Sequence, residues 1–66
     1  MKLYYIDTEK TFFGENEVHH EACHRLPKKE EREYIGKFAN CHSAVKKARE
    51  KYDDVTGCYF CSMQCS

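Results

Sequence analysis

Two rhythms of apolar and polar positions run along this chain. Lys2 to Asp7, rich in aromatic and β-branched residues and ending in Asp7-Thr8-Glu9-Lys10, predicts a strand running into a turn. Phe12-Phe13, then Gly14-Glu15-Asn16, then Glu17-Val18-His19-His20 predicts a second extended segment, a turn and a third, so the first third reads as a β-hairpin or short meander. Leu26-Pro27 opens the charged stretch from Lys28 to Glu33, where proline's restriction of its predecessor and the mixed charges predict a solvated loop with at most one helical turn. Tyr34-Ile35-Gly36-Lys37-Phe38 fits a brief strand. The rhythm then changes: Phe38, Cys41, Val45, Ala48 and Tyr52 recur at intervals of 3, 4, 3 and 4, which stacks them on one face of a helix over about 41–52. Asn40 offers a side-chain oxygen to cap its start, and Asp53-Asp54 and Gly57 close it before a cysteine-rich tail.

The expected architecture is a single α+β mini-domain over 1–66 with one main helix and a C-terminal cysteine knuckle. At 66 residues a single apolar core rarely supplies more than roughly 3–5 kcal/mol, so an additional staple is expected. The N-terminal apolar run is too short for a signal-peptide core or a membrane span, which points to the cytoplasm. Lys and Arg number 11, as do Asp and Glu, which removes the basic excess usual for nonspecific nucleic-acid binding. Lys46, Lys47, Arg49 and Lys51 nevertheless fall largely opposite the apolar helix stripe. They are either a solvated face or a phosphate-contacting patch, with Tyr59 or Phe60 as stacking surfaces.

Cysteine and histidine sharpen the picture. His19-x3-Cys23 and Cys58-x2-Cys61, short pairs well separated along the chain, are the ligand types and spacing with which small domains close a tetrahedral zinc site. Gly57 permits the tight path by which two thiolates converge on one ion. The expected ligands of a bound Zn2+ are His19, Cys23, Cys58 and Cys61, with Cys65 as the alternative fourth ligand and His24 in reserve. Cys41, on the helix stripe, reads as a small buried hydrophobe. The competing arrangement is a pair of disulfides with one free thiol, because the cysteine count is five.

In order of features, His19-x3-Cys23, the loop after Leu26-Pro27, the aromatic strand through Phe38, the helix with Ala44, Val45 and Ala48, and Gly57-Cys58-x2-Cys61 resemble the Ada-like zinc-binding domain at the N-terminus of the Ada DNA-repair protein. The resemblance covers residues 17–61. The chain is also similar to short uncharacterised bacterial proteins with a Val-His…Cys…Leu-Pro opening and a Gly-Cys-Tyr-x-Cys close. In the Ada domain four cysteines bind zinc and the first accepts a methyl group from a DNA phosphotriester. His19 stands at that first position here, so the resemblance implies fold and metal more than methyl transfer. The expectation is a non-enzymatic zinc-binding module that serves as a binding or accessory unit with a protein partner and no membrane. The alternative is a DNA-binding or methylphosphotriester-accepting domain. No catalytic triad, phosphate-cradling glycine loop or carboxylate pair stands out.

Overall fold

Strand-forming residues build the centre of the molecule. A computed structural model describes residues 1–65. Strand β1 (Lys2–Asp7) lies between β2 (Asn16–His20) and β3 (Arg32–Phe38), antiparallel to both. A short β4 (Val55–Gly57) adds to the free side of β2 in parallel, which gives the order β3-β1-β2-β4. Helix α1 (Cys41–Ala48) follows β3, and 3-10 turns occupy Lys29–Glu31 and Met63–Cys65. The α+β class expected from the two rhythms is the one found.

Alternation along the strands decides the layers. Tyr4 and Ile6 of β1 and Val18 of β2 point to one face, where Cys41, Ala44, Val45 and Ala48 of α1 and Val55 of β4 close the apolar core over them. Ile35, Phe38 and Tyr52 pack at its margin. Asn40 caps α1: its Oδ1 accepts from the backbone N–H of Ser43 at 3.1 Å. The regular helix ends at Ala48, earlier than the apolar spacing suggests. From there the chain tightens into turns, with the Lys51 N–H and the Tyr52 N–H both donating to the Ala48 carbonyl, so Tyr52 still reaches the core.

Other local expectations change as well: Arg32 and Glu33, expected in the charged loop, begin β3. Phe12 and Phe13 do not form a strand: the Gly14 N–H donates to the Thr11 carbonyl at 2.9 Å, a turn closes over Thr11–Gly14, and both rings stand in solvent, 97% and 82% exposed. β4 was not legible as a strand at all. A bulge interrupts the β1–β3 pairing between Tyr4 and Tyr5, opposite Gly36, whose φ is +153°. Its missing side chain leaves room for the Phe38 ring, which a Cβ at Gly36 would meet at 3.0 Å.

Candidate metal centre

β2 presents its two faces to two different environments. Val18 enters the apolar core, and the next residue, His19, must point to the opposite face. There it is 1% exposed, because the segments after β2 and β4 fold over it. The Cys23 N–H donates to the His20 carbonyl at 3.0 Å, a turn that brings Cys23 back beside His19. The Cys58 N–H donates to the Val18 carbonyl at 2.9 Å, so the parallel ladder of β2 and β4 runs one residue further and sets Cys58 against the same strand. The Ser62 N–H donates to the Cys58 carbonyl at 2.8 Å and closes the turn that carries Cys61. A strand end, a turn and a knuckle thus converge.

The ligand atoms of His19, Cys23, Cys58 and Cys61 all lie within 4.8 Å of one another. His19 Nδ1 is 3.6 Å from Cys23 Sγ and 4.0 Å from Cys61 Sγ, and the sulfurs of Cys23 and Cys58 are 3.9 Å apart. Around a tetrahedral zinc, bond lengths of 2.3 Å to sulfur and 2.0–2.1 Å to nitrogen imply edges of roughly 3.8 Å and roughly 3.5 Å respectively. The His19–Cys23 and Cys23–Cys58 separations match these edges, the His19–Cys61 separation is about 0.5 Å longer, and the group could hold a metal ion. All three cysteines are free thiols.

Burial shifts two members of the group, His19 and Cys23. It pushes the His19 imidazole below the usual histidine range, toward the neutral form that binds metal. Burial, followed by a hydrogen bond with Cys61 and the neighbouring thiols, pushes the Cys23 thiol up to about 12. A thiol so placed ionises readily only when a cation takes up the charge. His19 Nε2 is buried without a hydrogen-bond partner, and the nearest carboxylate oxygen, Glu17 Oε1, is 3.8 Å away. Glu17 lies on the same face of β2 as His19 and is the carboxylate best placed to orient the ring through its outer nitrogen.

Cys65, the alternative fourth ligand, is not part of this group. It is joined by a disulfide to Cys41, at a Cα–Cα distance of 6.3 Å, so its sulfur lies against the start of α1. Cys41 is buried as its place on the helix stripe implied, and the bond to Cys65 is the feature that spacing did not reveal. The five cysteines divide as one disulfide and three thiols, a combination of the two arrangements considered from sequence. His24, the reserve ligand, instead meets Phe60 edge-on, with ring centroids 5.5 Å apart. Tyr59 and Phe60 are exposed at the knuckle, and the Arg25 guanidinium lies 4.8 Å from the Phe60 centroid.

The helical basic patch is partly neutralised. Lys47 pairs with Glu50 at 3.1 Å, and Lys51 pairs with Glu33. Among the described residues, Lys46 and Arg49 enter no ion pair. No described helix is long and apolar enough to cross a membrane. No protein-family model matches the chain, and no curated protein and no solved structure matches it.

Proposed function

We propose that the chain is a zinc-stabilised, non-enzymatic module that serves as a binding or accessory unit, with His19, Cys23, Cys58 and Cys61 as the ligands of one Zn2+. The observation that carries this reading is the meeting of those four ligand atoms within 4.8 Å, from segments far apart in sequence. Three thiolates and one imidazole suit zinc better than the harder cations, which take oxygen. Four protein ligands complete a tetrahedron and leave no position for substrate, which favours a structural role for the ion. The Ada-like resemblance agrees with this and weighs against methyl transfer, because a histidine occupies the place of the acceptor cysteine. The exposed pair Tyr59 and Phe60, beside Arg25, is the surface best suited to meet a protein partner.

Elemental analysis of the chain purified with its Cys41–Cys65 disulfide intact tests the metal. One zinc per chain is expected, and His19→Ala should lose it or hold it far more weakly while Cys65→Ser keeps it. No metal in the unaltered chain, or full retention in His19→Ala, would sink the assignment. A nucleic-acid role through Lys46, Lys47, Arg49 and Lys51 is the competing reading. It predicts submicromolar duplex binding at about 0.15 M salt that vanishes when those four are neutralised. The expected result is weak binding, and no methyl adduct on any cysteine-containing peptide after exposure to methylated DNA.

A further inference from the structure

A second sulfur and imidazole group lies outside the four-residue centre. The Cys41–Cys65 disulfide joins the first residue of α1 to the turn Met63–Cys65, and a ring nitrogen of His42 lies with both sulfurs inside a 4.8 Å group. We propose that this disulfide is the closed form of a second, redox-gated metal site, in which reduction frees Cys41 and Cys65 to bind one Zn2+ together with His42. The remaining position would be taken by water, the arrangement of zinc sites with three protein ligands.

Three observations carry the assignment. The donor set of two thiolates and one imidazole is one zinc favours, and its imidazole is exposed. The rearrangement is small: sulfurs bonded at about 2.05 Å must part to roughly 3.8 Å, a change of roughly 2 Å. Cys41 is the first residue of α1, and the positive end of a helix favours a thiolate both as leaving group in reduction and as ligand afterwards. Of the three proposed ligands, Cys41 also lines a cavity of about 330 Å³, together with Asn40, Cys61, Ser62 and Gln64.

The chemistry balances with a dithiol as reductant. One of its thiolates attacks a sulfur of the Cys41–Cys65 bond, its second thiol closes the reductant's own disulfide, and two electrons and two protons pass to Cys41 and Cys65. Binding of Zn2+ then releases those two protons, while His42 contributes a neutral nitrogen.

The test is zinc stoichiometry of the full chain after desalting, with the disulfide intact and after treatment with a phosphine, which is oxidised to its oxide as it reduces the bond. One zinc per chain is expected in the oxidised form and two in the reduced form. His42→Ala, at an exposed position, should weaken the second equivalent at least tenfold and leave the first untouched. Cys41→Ser with Cys65→Ser should hold one under both conditions. The proposal fails if reduction adds no zinc, if the second equivalent is unchanged by His42→Ala, or if the reduced chain loses its circular dichroism signature. A chain with no zinc when oxidised and one when reduced would overturn the four-ligand centre but support this site.

Discussion

His19 meets two demands with one ring: Nδ1 faces two sulfurs, and Nε2 is buried without a hydrogen-bond partner, 3.8 Å from Glu17 Oε1. Removing the charge with Glu17→Gln should leave one zinc per chain but weaken its affinity by about 10–100-fold, read by competition with a chelator. Burial lowers the His19 pKa, so the folded state resists a proton that the unfolded chain accepts. The neutral ring therefore contributes stability above the ordinary histidine value of about 6.5. That contribution is lost as pH falls through this value toward the lower folded one. Proton competition for the thiolates acts in the same direction. Thermal unfolding followed with zinc content should be nearly level from about pH 8 to 7 and fall together below about 6.5. A melting temperature indifferent to pH in that range would count against a neutral, ligating His19. At this scale the sequence was informative: the ligand types and their two short spacings were visible in His19-x3-Cys23 and Cys58-x2-Cys61. The disulfide partner of Cys41 was not, because its helical spacing is equally that of a core residue.

Elements are held by contacts that spacing does not encode. A Cβ at Gly57 would sit 2.5 Å from the Ser62 carbonyl oxygen and 2.7 Å from the Cys65 Cβ, so the chain after β4 folds directly onto that glycine. Gly57→Ala should cost about 1–3 kcal/mol in denaturant unfolding, with weaker zinc binding because the displaced turn carries Cys61. Below α1, the Tyr52 hydroxyl donates to Glu33 at 2.7 Å and Lys51 pairs with the same carboxylate. Those bonds, from Lys51 first and then Tyr52, lower the Glu33 pKa, and the bond to Glu33 followed by burial raises Tyr52 to about 12. Tyr52→Phe should cost about 1 kcal/mol and remove stability that the unaltered chain loses as pH rises from about 10, the ordinary tyrosine value, through about 12. β1 and α1 were legible because each repeats its period long enough to be read. Val55–Gly57 is three residues long, too short for alternation to show, and exists because β2 offers an unpaired edge. Phe12-Phe13 has strand-forming residues, but the turn chemistry of Thr11 and Gly14 prevails there.

In the whole molecule, the sheet has an apolar core on the α1 side and a cluster of sulfur and imidazole at the end of β2 on the other. Such a division gives a chain of 66 residues a group that could hold a metal ion beside a small hydrophobic core. Structural zinc in such units contributes on the order of 10 kcal/mol at pH 7, so a strong chelator should unfold the oxidised chain, and added Zn2+ should restore its circular dichroism. A chain that keeps its fold without metal would show that the core and the Cys41–Cys65 bond suffice. Sequence by itself determined the helix, the central strand and the kinds of metal-binding side chain, because periodicity and residue chemistry are local properties. Tertiary structure decided which of those side chains meet. Cys23 and Cys58 are 35 residues apart, His19 and Cys61 are 42 apart, and Cys41 and Cys65 are 24 apart. Each pairing depends on the parallel addition of β4 to β2 and on α1 covering the other face, and no local pattern records contacts closed over such distances.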